Sequence, residues 1–154
     1  MEGQGRAERG VREVDLSEVI EKRKSVRKYS DRPVSDEVIA NILQLARKAP
    51  SAGGLRAYDF VVTRERLTNI VSPVSIVVCA LPEVSARRYG ERGKNLYAIQ
   101  DATIFGAYIQ LVAVDYGLST VWVGAFREGR IRGALRLEKY YRPIAIIHLG
   151  YKEG

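Results

Sequence analysis

Hydrophobic and polar positions alternate with two different periods along this chain, and the switches between them mark its elements. Leu16, Val19 and Ile20 recur at i, i+3 and i+4 behind Asp15, a residue suited to an N-cap, and predict a short amphipathic helix from Asp15 to about Lys24. Ser30 to Pro33 reads as a turn. Ser35 then caps a second helix, with Asp36 and Glu37 in its first turn, where they suit the helix dipole. Val38, Ile39, Ile42, Leu43 and Ala46 form its apolar face, Arg47 and Lys48 sit in its last turn, and Pro50 stops it. Tyr58 to Thr63 is a strand candidate, Arg64 to Ile70 a short helix, and Val74 to Ala80 a continuous β-branched run of buried-strand type. Pro82 to Asn95 is polar and mixed, a helical excursion or a loop.

Tyr97 to Tyr116 is apolar almost all round, the mark of a helix lying inside something larger. Gln100, Thr103 and Gln110 share one narrow polar stripe on it, and Gly117 is placed to end it in a left-handed conformation. Ser119 to Phe126 is extended, Arg127 to Leu137 charged and helical, and Pro143 to Gly150 a last buried strand. Helices and strands are interspersed without strict alternation, which favours an α+β fold with helices covering a small sheet.

A length of 154 residues suits one domain with a real core. The polar, Gly-rich start makes residues 1–12 a flexible leader and leaves 13–154 as that domain. There is no apolar secretory signal, and Gln100, Asp101, Gln110 and Asp115 interrupt the longest apolar stretch, so no membrane span is expected. The single Cys79 fits a reducing compartment, and a cytoplasmic location is the expectation. The net charge of +7 favours anionic partners.

Five cations crowd into Lys22-Arg23-Lys24-Ser25-Val26-Arg27-Lys28-Tyr29. Three targets suit them: water, a nucleic-acid backbone, or one phosphate. Nucleic acid is disfavoured, because no recognised binding motif follows and the other basic residues are scattered among acids. A phosphate dianion suits the hydroxyl of Ser25 and the forked donors of Arg27, which lie close together where a helix gives way to extended chain. Pro50-Ser51-Ala52-Gly53-Gly54 has no P-loop spacing; it is either a plain connection or a flat surface against which a planar ring can lie. Gly124-Ala125, after Trp122, can present backbone N–H groups with no side chain in the way, although one Trp beside aliphatics is usually core. His148 and Cys79 read as core residues, and Asp101 in the central helix as a buried acid or, the safer reading, an N-terminal-turn residue or salt-bridge partner. No metal-ligand spacing and no nucleophile–base set is present, so in an enzyme a cofactor carries the chemistry.

In order and spacing, three segments resemble the nitroreductase family of flavin mononucleotide (FMN) oxidoreductases: EKRKSVRKYSDRPV from Glu21, APSAGGLRAYDFVVT from Ala49, and YAIQDATIFGAYIQLVAVDYGLSTVWVGAF from Tyr97, with IAIIHLGY closing the chain. The resemblance implies a nitroreductase-like fold, with a mostly antiparallel central sheet, as an intertwined homodimer binding FMN at its interface. It implies that NADH or NADPH reduces the flavin, which passes electrons to a small-molecule acceptor such as a nitroaromatic or a quinone. By motif, Arg23, Lys24, Ser25 and Arg27 hold the phosphate and ribityl end. Pro50, Ser51, Ala52 and Gly53 flank the ring from the partner subunit, Gly124 and Ala125 put backbone N–H groups near N5 and O4, and Trp122 is a second neighbour of the ring. The chain departs from the pattern where Ala52-Gly53-Gly54 replaces an Asn, in a short Arg64–Ser72 segment, and at Lys152, the one basic residue after Gly150. The phosphate grip is therefore expected to rest on residues 23–27. A flavin-binding protein with little turnover is the alternative.

Overall fold

A computed structural model describes residues 15–154, so the leader expected at 1–12 lies outside the described residues. Four strands make one sheet: β1 (Tyr58–Thr63), β2 (Val74–Ala80), β3 (Ser119–Val123) and β4 (Arg142–Gly150), in the order β1-β2-β4-β3 with every pairing antiparallel. The strands match their predicted positions because each is a compact apolar run between turn residues. All seven residues of β2 are buried, as a central strand covered on both faces requires.

One face of the sheet carries helices α1 (Leu16–Lys22), α2 (Asp36–Ala46) and α4 (Ala98–Asp115). Asp15 and Ser35 cap α1 and α2, accepting from Glu18 N and Val38 N. Helix α4 brings Ala98, Ala102, Phe105, Ile109 and Ala113 onto the sheet at helical spacing. Phe105 is its central plug, stacked 4.2 Å from the Tyr58 ring and 5.9 Å from Phe60. Gly106 lets the sheet close on the helix: a Cβ there stands 2.5 Å from the Trp122 ring. Trp122 therefore packs as a half-buried core residue. Gly117, at φ +80°, ends the helix as its left-handed preference predicts. The other face carries helix α5 (Glu128–Leu135) and the long hairpin connection between β1 and β2 over a smaller cluster of Leu67, Val77, Cys79, Ile131 and Ile146.

Four local expectations are corrected. Arg64–Ile70 is not a helix, because its side chains satisfy its own backbone: Thr68 Oγ1 accepts from Ile70 N, and Arg66 donates to the carbonyls of Thr68 and Asn69. Helix α2 ends at Ala46, so Arg47 is its C-cap and Lys48 lies beyond it. The polar stripe on α4 splits: Gln100 and Thr103 are exposed, whereas Gln110 is buried and donates to Thr120 Oγ1 at 3.1 Å. Asp101 does lie in the first turn of α4, but in place of a salt bridge among the described residues its buried carboxylate anchors a loop through backbone N–H groups. The polar 82–95 stretch resolves into helix α3 (Pro82–Arg92), broken at Gly90, followed by a π-turn at Gly93–Tyr97. No helix among the described residues is long and apolar enough to cross a membrane.

Candidate functional site at the β3 edge

Strand β3 is an edge strand, and the basic segment lies along it. Ser25 bridges Thr120 in parallel, with Val26 N donating to Thr120 O at 2.9 Å. Further on, Tyr29 bridges Lys152, Ser30 N donates to Tyr151 O and Glu153 N to Lys28 O. These backbone ties hold the segment in extended form and leave Lys24, Ser25, Arg27 and Lys28 exposed, with Arg23 half-buried. Among the described residues none of these cations forms an ion pair. Exposed cations and a hydroxyl on a fixed backbone make a donor set for an anion, and Lys152 joins it from the chain's other end.

Gly124 and Ala125 follow β3 directly and are exposed. Nothing approaches a Cβ built on Gly124 closer than the Trp122 indole nitrogen at 3.7 Å, so the backbone there is open to a ligand. Ala125 also lines a cleft of about 290 Å³ together with Thr68, Asn69, Phe126, Arg127 and Arg130. Asn69 supplies an amide near Ala125, although the Asn of the family pattern is missing from the Pro-Ser loop. Sequence reasoning missed Thr68, Asn69, Arg127 and Arg130. Thr68 and Asn69 stand 57 and 56 positions from Ala125, and only the fold of the β1–β2 connection joins them.

The loop Pro50–Gly54 stands elsewhere. A 3₁₀ turn at Ala52–Gly54 leads to β1, with Gly53 at φ +61° and Gly54 at φ +67°. Asp101, 2% exposed, shapes it by accepting from Ala52 N at 2.9 Å and Ala57 N at 3.3 Å, while Ser51 Oγ accepts from Arg56 N. In sequence Asp101 carries no signal for this role, since its partners are backbone groups 44 and 49 positions away. The loop feeds the edge opposite β3, three interstrand spacings or roughly 14 Å away at the sheet itself. One chain therefore brings Arg23–Arg27, Trp122, Gly124 and Ala125 to one edge, and Pro50, Ser51, Ala52 and Gly53 to the other.

The remaining candidates for chemistry are structural. His148 is buried, with Nε2 2.9 Å from Thr68 Oγ1 and Nδ1 2.9 Å from both Ser72 Oγ and Ser75 Oγ; burial lowers its pKa to about 4. Cys79 is fully buried, and burial, with the Asp59 charge adding to it, pushes its thiol up to about 12, so it is inert as a nucleophile. Tyr141 donates a short hydrogen bond to Asp59, which raises its pKa. Among the described residues no group of three or more His, Cys, Asp or Glu converges in a way that can hold a metal.

The nitroreductase family profile matches residues 20–73 and 70–151. A protein of Methanothermobacter thermautotrophicus, provisionally named NADH dehydrogenase/NAD(P)H nitroreductase, is 34% identical over 92% of this chain and 79% of its own length. A protein of Archaeoglobus fulgidus with the same provisional name is 34% identical over 84% of this chain and 80% of its own. Among solved structures, an FMN-dependent nitroreductase of Clostridium difficile R20291 superposes with a TM-score of 0.74 at 30% identity, covering 88% of this chain and 87% of that one. A nitroreductase family protein of Streptococcus pneumoniae shares the fold with a TM-score of 0.82 at 20% identity, over 91% of this chain and 92% of that one. With the profile spanning both the basic segment and β3, this chain belongs to the nitroreductase family.

Proposed function

We propose that this protein is an FMN-dependent oxidoreductase that uses NADH or NADPH to reduce an acceptor such as a nitroaromatic or a quinone. The observation that carries the reading is the pairing of an uncompensated cation–hydroxyl segment, Arg23 to Arg27, with the start of β3, while the open Gly124–Ala125 backbone follows the end of the same strand. The residues present fit the group: cations with no ion pair among the described residues suit the phosphate, and the cleft at Ala125 combines polar donors from Thr68, Asn69, Arg127 and Arg130 with apolar walls from Leu67, Phe126 and Ile131.

When bound, FMN would supply the two-electron redox chemistry between the nicotinamide and the acceptor. The protein's task is to hold and align. Arg23, Lys24, Ser25 and Arg27 hold the phosphate and ribityl end, with Lys152 beside them. The exposed N–H groups of Gly124 and Ala125 would face the ring, where a backbone donor would stabilise charge that builds up on reduction. Trp122, fixed against Gly106, holds that end of β3 in place.

The site is completed by a second copy of the chain. Pro50 to Gly53 lie at the wrong edge to reach β3 in their own subunit, so they flank the ring of the partner's cofactor. An apolar groove of about 450 Å³ between α1 and α4, bordered by Leu16, Val19, Ile20, Tyr108 and Leu111, supplies a surface for that association. Leu16 and Ile20 are 66% and 55% exposed in the single chain, a cost that burial in a homodimer removes.

The test is an absorbance spectrum of the protein purified and reconstituted with excess FMN. A bound flavin spectrum that bleaches on anaerobic addition of NADH or NADPH, and returns with a nitroaromatic or quinone, is the expected result. A colourless protein after reconstitution refutes the enzyme reading.

A further inference from the structure

Helix α3 rests on the Pro-Ser loop at one glycine. A Cβ on Gly53 would stand 2.5 Å from Tyr89 Oη and 2.9 Å from a guanidinium nitrogen of Arg88, so the absence of a side chain admits both. The contact continues away from the loop. The Arg88 guanidinium lies 5.3 Å from the Tyr89 ring centroid, and Tyr89 meets Tyr97 edge-on at 5.1 Å. Arg92 lies 5.6 Å from the Tyr97 centroid and donates from Nε to Tyr97 Oη at 3.2 Å. The backbone that carries this cluster is irregular, with a break at Gly90 (φ +57°, ψ −140°) and the π-turn at Gly93–Tyr97. Irregularities of this kind re-aim side chains and occur often at functional sites.

The nearby acids are engaged elsewhere. Glu83 pairs with Lys94 at 3.6 Å and Glu91 accepts from Asn95 at 3.1 Å, whereas among the described residues neither Arg88 nor Arg92 forms an ion pair. Two guanidinium groups with no ion pair among the described residues, two phenol rings and a glycine turn free of side chains make a surface that takes a planar ring on its aromatic side and an anion on its forked donors. A helix face selected only for solvation has no reason to press a guanidinium and a phenol against a backbone kept free of a side chain.

We infer that Arg88 and Arg92, with Tyr89 and Tyr97, form a subsite beside Gly53 that selects substrates carrying a planar ring with an anionic group. The inference rests on the flavin reading above, which sets the same loop against the ring. The anion has two sources of like chemistry: a carboxylate or sulfonate on the acceptor, or a phosphate of the nicotinamide donor.

The experiment uses the FMN-loaded full chain. Calorimetry gives the Kd of 4-nitrobenzoate and of its methyl ester with the oxidised protein, for wild type and Arg88→Gln. Stopped-flow reduction by NADPH and by NADH on the same two proteins makes the second arm. An acceptor carboxylate predicts that Arg88→Gln weakens 4-nitrobenzoate about tenfold and the ester less than about twofold, the scale of losing one charged hydrogen bond. A donor phosphate predicts a comparable loss in NADPH affinity with a smaller one for NADH. Arg88→Lys, which keeps the charge without the fork, recovers part of the loss in whichever arm responds. If Arg88→Gln changes neither ratio in a protein that binds FMN and turns over, the subsite is overturned and the flavin reading stands. A wild-type protein that binds no FMN overturns both.

Discussion

Arg27 stands exposed at the β3 edge with no carboxylate partner among the described residues, and its proposed role separates cleanly from that of the residues proposed to face the ring. Riboflavin lacks the phosphate that Arg27 is assigned to hold. Arg27→Ala is expected to raise the Kd of FMN by roughly 10- to 100-fold, the scale of hydrogen bonds to a charged group, and to change that of riboflavin by less than about twofold. Flavin fluorescence titration measures both, and equal losses would move Arg27 away from the phosphate. Asp101 acts on the site through the backbone of the Pro-Ser loop. An amide at this position offers one acceptor where two N–H groups converge, so Asp101→Asn is expected to destabilise the fold by about 1–3 kcal/mol. Urea denaturation checks the size, and faster proteolysis between Pro50 and Ala57 checks the place.

Strand β4 and the connection between β1 and β2 are joined by one imidazole. Thr68, Ser72 and Ser75 all turn hydroxyls to His148, and the small cavity beside it is lined by Arg64, Glu65 and Arg66. Burial holds the His148 pKa near 4, below its ordinary value of 6.5. On acidification the unfolded chain therefore takes up this proton first. The contribution of neutral His148 is complete above about pH 6.5 and is lost progressively as pH falls towards 4, by up to about 3 kcal/mol. Urea midpoints measured from pH 7 to 4.5 should fall more steeply for wild type than for His148→Gln, and parallel curves would exclude the linkage. On the opposite face Phe105 fills the space between α4 and the sheet. Phe105→Ala is expected to cost about 3–5 kcal/mol in chemical denaturation, because the rings of Tyr58 and Phe60 lose the side chain they stack on.

At the scale of the whole molecule, the candidate site residues are split between two sheet edges, and the proposed homodimer is what would bring them together. A double substitution in the groove, Leu16→Asp with Ile20→Asp, places two charges where α1 meets its proposed partner. Sedimentation of this variant is expected to show a monomer in place of a dimer, with FMN lost in parallel because Pro50 to Gly53 no longer reach the ring. A monomer that retains FMN at wild-type affinity would show that the site needs no second subunit.

The one-dimensional pattern determined most of the fold. The helix spanning 98–115, the caps at Asp15 and Ser35, the left-handed stop at Gly117 and all four strands were legible, because each is set by local periodicity, capping or turn chemistry. The basic segment and the small-residue turns were legible as chemistry, since residue types announce donors and close approach. What depended on neighbours distant in sequence was not legible. The segment 64–70 has a helix-like composition, yet its own side chains and His148 bend it into the β1–β2 connection. Asp101 is the first-turn acid that its spacing announces, but the loop that its carboxylate holds is not legible beside it. Gln110 belongs to a polar stripe by number, yet Thr120 draws it into the core. Gly53 is a flexible residue in sequence and a contact for Arg88 and Tyr89 in space. The sequence by itself determined the elements and the kinds of donor they carry. Tertiary structure alone decided which edge each donor occupies, because a strand's partners are set by burial and register across the whole sheet, not by the residues beside it.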